Sequence, residues 1–398
     1  MNKEKMKISI LPNYFLNEDG TFNKQEAILL SGKIAGVCYD KEGFNHLINE
    51  DEEKTKRRVD MTLNNGHHSV YDHIMINFNI ENIPKILAMI LNNEKEYTTS
   101  EKSARYTPVE SSSSISNVEI ELYNKWTDIF INEINKRYKD VLTANKIKKL
   151  AQENARYLIT VFMPTQMIYT TSLRQINYIA SWLKKYVDNA QEKNDFENKL
   201  KKYVYEFISE LKRINVLEDG LLKNEKNRSI SLFNNNLDKK EKYFGEVYFT
   251  TYKGTFAELA QAQRHRTLDY QMQIMTNKEF YVPLIIKDND DLVNMWNNDM
   301  KKVSKYYPQG ELILISECGK YDDFILKCME RLCTHAQLEI MLQTKLTLDE
   351  YREYLKDSNK ELYKDICKYS KGARCTFPNY KCTEKCYFKE GVLLTRDI

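Results

Sequence analysis

Glycine and proline are scarce in this chain, at 12 and 7 of 398 residues. Few turn-formers favour long helices over many tight turns. No apolar run approaches the roughly 18 residues of a membrane span. The start, MNKEKMKISILPNYFL, breaks its short apolar patch at Pro12 and Asn13 and makes a poor signal peptide. An excess of one charge is missing too. The 60 Lys+Arg against 57 Asp+Glu leave +3, too little for wholesale binding to nucleic acid or membrane. Without a secretion signal, the 8 cysteines read as reduced thiols, so a cytoplasmic protein is expected. What is present is ample core material: 42% hydrophobic against 29% charged residues, a soluble globular chain of two or three domains.

Two stretches share one pattern. IMINFNI (74–80) is strand-like and leads into the helical ENIPKILAMILNN, and VYFTTY (247–252) leads into FAELAQAQRHR. Leu200, Tyr203, Val204, Phe207, Ile208, Leu211 and Ile214 recur at helical spacing. Trp126, Ile129, Phe130, Ile134, Tyr138 and Val141 do the same, as do Phe324, Ile325, Cys328, Met329 and Leu332. Between the halves, 215–240 is polar, asparagine-rich and aperiodic. The expected fold is α+β, two tandem units, each a mixed sheet with long packed helices. The first unit is placed at 1–214, a linker at 215–240, the second unit at 241–345, and a helical, cysteine-containing tail at 346–398.

The run Arg264-His265-Arg266 closes the second helical stretch, with Gln261 three residues earlier. Taken alone, it also fits a solvated helix end whose cations favour the macrodipole. Its company changes the odds. SEKSARYTP (100–108) carries Glu101, Ser103, Ala104, Arg105 and Tyr106; GHHSVYDH (66–73) carries Ser69 and Asp72. ENARYLITVFMPTQMIYTTSLRQI (153–176) carries Arg156, Ser172 and Arg174, and RLCTHAQLEI (331–340) begins at Arg331. In order and spacing these resemble the motifs of the flavin-dependent thymidylate synthases: H-x-[ST]-x-x-E-H, Q-x-x-R-H-R, the serine-rich S-G-R-Y segment, A-R-x-x-L-P…T-x-N-x-R and R-x-x-x-x-A-Q-x-E-I. The resemblance runs from Gly66 to Ile340, with Asp72, Ala104 and Ser172 departing from the pattern.

The motifs are split between the halves. LNNEKEY (91–97) stands in the first half where RHR stands in the second, and KYVDNAQEKN (185–194) puts Lys185 where RLCTHAQLEI has Arg331. A tandem-duplicated member with one surviving composite site is the expectation. The resemblance implies reductive methylation of dUMP to dTMP with FAD, methylenetetrahydrofolate and NADPH. It also implies dUMP contacts from Glu101, Ser103, Ala104, Arg105, Arg156, Gln261, Arg264 and Arg331, with Arg331 catalytic at the uracil. FAD contacts are implied for Ser69, Arg264, His265, Arg266, Ser172 and Arg174. Family members are homotetramers, so two tandem chains would form a homodimer equivalent to a pseudo-tetramer. The alternatives are a related flavoenzyme modifying another pyrimidine nucleotide at C5, and a catalytically dead nucleotide- or flavin-binding scaffold.

The remaining clusters read more plainly. His67, His68 and His73 lack the helical i, i+4 pair of a zincin. Cys328 and Cys333 sit on an apolar helix and are expected as core thiols. Cys375, Cys382 and Cys386, with Cys367, have loose zinc-like spacing without paired C-x-x-C knuckles. Free thiols are the expectation there, with a structural zinc as the alternative.

Overall fold

The computed structural model describes residues 5–103, 109, 112–190, 194–223, 228–383, 386 and 394–398. The chain forms two compact units. The first combines the chain up to Lys102 with Pro164–Ile230; the second combines Ser103–Met163 with Ser231–Ile398. The break at Ile230 falls inside the expected linker. The division is otherwise not the contiguous one expected at 1–214, because residues 103–163 join the second unit.

Packing explains that exchange. The helix Asn117–Tyr138 starts in a Ser116/Glu119 capping box and buries Trp126 and Phe130. Their partner is Trp296 of the helix Asp290–Val303, whose ring meets Trp126 edge-on with centroids 4.8 Å apart. Asp299 accepts from Trp126 Nε1 at 3.0 Å and from Lys125 Nζ at 2.5 Å. Each such aromatic withdraws roughly 150–250 Å² from water, several kcal/mol at about 25 cal/mol per Å².

Each unit holds a four-stranded sheet, and the strand orders are the same: β1-β2-β4-β3 and β5-β6-β8-β7. The first comprises β1 (Lys7–Ile10), β2 (Met75–Pro84), β3 (Thr98–Glu101) and β4 (Pro164–Ser172). The second comprises β5 (Tyr243–Phe244), β6 (Val247–Thr255), β7 (Asp269–Gln273) and β8 (Leu312–Lys320). All ladders between these strands are antiparallel, where mixed sheets were expected. The parallel pairing found among the described residues is an isolated bridge, Phe233 to Met272.

The repeat extends to the connections. β2 runs into the helix Lys85–Leu91 and then a turn to β3; β6 runs into the helix Phe256–Ala262 and then a turn to β7. The two segments match without a gap from helix start to strand start, so the turn 91–97 and the turn 262–268 are topological counterparts. Likewise β4 and β8, both nine residues long, feed the helices Leu173–Asp188 and Tyr321–Arg331. β2 departs locally, with a register shift between Ile80 and Ile83 and Asn82 at φ 56°, a left-handed position that asparagine tolerates.

No described helix is long and apolar enough to cross a membrane.

Candidate functional site

The Arg264-His265-Arg266 run lies in the turn after Ala262, beyond the helix on whose end it was expected. The turn splits its side chains. Arg264 and Arg266 are exposed, whereas His265 is only 4% exposed. Arg331, the last residue of the Tyr321–Arg331 helix, is half-buried; its Nε donates to His265 Nε2 at 2.6 Å, and its Nη2 reaches the Gln261 carbonyl at 3.5 Å. A guanidinium only donates, so Nε2 must be unprotonated and the ring proton sits on Nδ1, 3.5 Å from a Glu330 carboxylate oxygen. That separation is no ion pair, because the ring is neutral. Burial, and then the Arg331 charge, hold the His265 pKa down at about 2.

Behind Arg331 runs a buried polar chain. Gln261 Nε2 donates to Gln337 Oε1, and Gln337 Nε2 donates to the Tyr157 hydroxyl at 2.6 Å. Tyr157 donates to Glu339 at 2.9 Å; Glu339 also accepts from the Thr255 amide at 3.0 Å and the Thr255 hydroxyl at 2.8 Å. Thr255 caps the Phe256–Ala262 helix by accepting from the Glu258 amide at 3.0 Å. The Glu258 and Glu339 carboxyls are hydrogen-bonded to each other, both enclosed. Burial pushes Glu339 up to about 7 and Glu258 well above the usual carboxylate range. A Cβ at residue 254 would come within 2.2 Å of Glu258 Oε2 and 2.8 Å of Ile315 Cδ1, so a side chain there would have to displace this buried carboxyl.

Arg156 is buried in the turn after the helix Ala144–Ala155, in this same unit; burial lowers its hold on the proton and Tyr123 opposes that effect. Ser103 is half-buried and belongs to the second unit as well. Ala104, Arg105 and Tyr106 lie outside the described residues. Glu101 is in the first unit, on β3, where its carboxylate takes Lys85 Nζ at 2.6 Å and Asn92 Nδ2 at 3.4 Å.

The remaining expected flavin contacts gather in the first unit around Asp72. Ser172 caps the Leu173–Asp188 helix and donates to Asp72 at 2.6 Å, while Arg174 Nε donates to the same carboxylate at 3.0 Å. Ser69 is exposed beside them in the short turn His68–His73. His68 is occupied structurally, with Nε2 on the Leu63 carbonyl at 3.0 Å and Nδ1 on the Tyr178 hydroxyl at 2.8 Å. Lys185 lines a cavity of about 820 Å³ with Lys184, Lys212 and Tyr205.

Cys328 and Cys333 are buried, and burial pushes the Cys328 thiol up. In the tail, Cys367 is half-buried and Cys375, Cys382 and Cys386 are exposed, and no group of three His, Cys, Asp or Glu among the described residues could hold a metal.

Sequence reasoning missed Tyr157, Thr255, Glu258, Gln337 and Glu339. Signals existed: Thr255 and Glu258 have the T-x-x-E spacing of a helix start, and Gln337 and Glu339 lie within the quoted AQLEI.

Residues 23–192 match the family model described as thymidylate synthase complementing protein. Over that stretch the chain is similar to the flavin-dependent thymidylate synthases. A flavin-dependent thymidylate synthase from Clostridium tetani (strain Massachusetts / E88) is 23% identical over 172 residues, covering 39% of this chain and 68% of that protein. Among solved structures, a UMP/dUMP methylase, PolB, from Streptomyces cacaoi bound with 5-Br dUMP shares 12% identity over 53% of this chain and 92% of its own, with a TM-score of 0.33. Thymidylate synthase X from Helicobacter pylori with FAD and dUMP shares 15% over 54% of this chain and 99% of its own, with a TM-score of 0.29. Superpositions that loose carry no argument about the site.

Proposed function

We propose that the chain is a thymidylate synthase acting on dUMP, with FAD as cofactor and with methylenetetrahydrofolate and NADPH as co-substrates. Its nucleotide site is built in the second unit. The observation that supports this most is the Arg331 guanidinium, tied to a neutral His265 and backed by the Gln261 carbonyl. A cation held in that way is preorganised and would stabilise negative charge on a uracil that loses its N3 proton. Arg156, Arg264 and Ser103, with Ala104 and Arg105, would take the phosphate, where guanidinium forks suit the oxygens. Gln261 would complete the dUMP contacts in this unit.

Exposed guanidiniums at Arg264 and Arg266 suit an anionic cofactor such as FAD. When bound, the flavin supplies carbon transfer and hydride chemistry. The chain's own residues bind, orient and stabilise charge. Because one compact unit contains Ser103, Arg156, Gln261, Arg264 and Arg331, this reading favours a site built within each chain. The assembly would be a homodimer with one dUMP and one FAD per chain.

The departures at Asp72 and Ser172, which bond to each other, favour a second reading: the same chemistry on another pyrimidine nucleotide. Calorimetric titration with dUMP and UMP separates the two. Rescue of a thymidine-requiring bacterial strain supports the first. A protein that takes up no FAD and binds neither nucleotide would be a scaffold.

A further inference from the structure

We propose that Glu258 and Glu339 form a positioning pair, one carboxylic acid and one carboxylate joined by a single proton, that sets the hydrogen-bond direction of the chain running through Tyr157 and Gln337 to Gln261. The proposal rests on the second unit being the nucleotide site.

Its first support is that two enclosed carboxyl groups in mutual contact cannot both be ionised. The nearest buried ammonium, Lys327, is committed to Glu317. One proton is therefore required. Glu339 accepts from three donors, the Thr255 amide, the Thr255 hydroxyl and the Tyr157 hydroxyl, and such donors favour the carboxylate. The proton accordingly belongs to Glu258.

Direction follows from that assignment. A carboxylate can only accept, so the Tyr157 hydroxyl must donate to Glu339 and receive from Gln337. Gln337 then has its Nε2 toward Tyr157 and its Oε1 toward Gln261. The Gln261 Nε2 is consumed by that oxygen, which leaves the Gln261 side-chain carbonyl as the group turned toward a ligand. The ionised carboxylate thus fixes, three links away, whether Gln261 offers an acceptor or a donor. A neutral amide at 339 would remove that bias, because it can donate as well as accept.

The test compares two isosteric substitutions that a purely structural role would not distinguish. Glu258→Gln keeps a neutral donor facing Glu339 and should leave dUMP affinity within about twofold. Glu339→Gln frees the chain to reverse and should weaken dUMP roughly tenfold by calorimetry, the worth of one hydrogen bond. Equal losses in the two variants overturn the proposal. Should Glu339→Gln fail to fold, Tyr157→Phe cuts the same chain one link further on and takes its place. Infrared difference spectra at pH 8 give an arm independent of ligand. The band of a protonated buried carboxyl should appear in the wild type, vanish in Glu258→Gln and persist in Glu339→Gln; any other pattern refutes the shared proton. If the wild type binds no dUMP, the reading of the site fails, and the infrared pattern alone decides the pair.

Discussion

The two units use one strand order to build opposite interiors. In the first, the inward face of β2 is Ile76, Phe78 and Ile80, and the following helices add Leu87 and Ile179. At the matching positions the second has Tyr248, Thr250, Tyr252, Glu258 and Lys327, all buried. Tyr169 of β4 corresponds to Glu317 of β8, which accepts from Tyr248 at 2.7 Å and pairs with the enclosed Lys327. The turns diverge in the same sense. Glu94 stands where His265 stands and is wholly buried, answered by Arg228, whose guanidinium lies 3.6 Å from the Trp182 ring centroid and 2.7 Å from the Glu94 carboxylate. Counted from the strand–helix junction, the buried Leu183 takes the place of Arg331. One sheet has closed into a core and filled its turn from within. The other retains ionisable groups whose burial costs stability, as expected of a site rather than a support.

The largest effect should come from breaking the polar interior. Lys327→Met leaves Glu317 buried without its cation and should cost about 3–5 kcal/mol in urea unfolding. Adding Glu317→Leu makes the position resemble the first unit and should recover most of that loss. A double variant no more stable than the single one would mean that the pair stabilises the fold outright, and the contrast between interiors would lose its meaning.

Next comes the chemistry. Arg331→Ala should reduce turnover by roughly a hundred- to a thousandfold, about 3–4 kcal/mol, while bound flavin stays in place. Lys185→Ala, at the first-half position that motif order but not topology pairs with Arg331, should leave turnover unchanged. Steady-state kinetics decides, and equal damage from both would place the working site in the wrong unit.

Much of this layout was legible in the residues, for reasons the same contrast makes clear. Period-two runs in β2 and β6, each followed by an apolar helix, announced the repeat because both sheets need one buried face whatever its chemistry. Motif order placed LNNEKEY opposite RHR, and the gapless match of the two turns bears that out. The partner of an apolar helix face was not legible. Trp126 and Phe130 mark a stripe, but nothing local says that Trp296, far along the chain, completes it, so residues 103–163 were placed with the wrong sheet. Nor could a run of three basic residues reveal which one turns inward. That depends on Arg331, which reaches the turn through tertiary packing.

A smaller effect probes the filled turn. Arg228→Ala removes a stacked guanidinium and leaves the Glu94 carboxylate without that cation. With the arginine side chain 43% exposed, water can replace part of the lost contact, and about 2 kcal/mol is expected. Turnover should not change. Lost turnover would show that the first unit's turn serves the reaction after all.

The smallest effect is a pH slope, and its sign separates two of the groups with shifted pKa values in the second unit, His265 and Glu339. His265 has its pKa lowered from 6.5 to about 2, so its contribution to stability is present above 6.5 and is lost as pH falls below that value, by about 1.4 kcal/mol per unit. Glu339 has its pKa raised from 4.5 to about 7, so its contribution is present at low pH and is lost as pH rises from 4.5 toward 7. Between pH 4.5 and 6.5 the two slopes oppose each other, and the wild-type profile should be nearly flat with respect to this pair. His265→Asn keeps an oxygen to accept from Arg331 Nε but removes the titration. Its stability relative to wild type should therefore climb as the pH is lowered, reaching about 1.4 kcal/mol by pH 5.5 in paired chemical unfolding curves. A pH-independent difference would mean that His265 is charged in the fold. In that case Arg331 could not be held through Nε2, and the turn would be as closed to a nucleotide as its counterpart in the first unit.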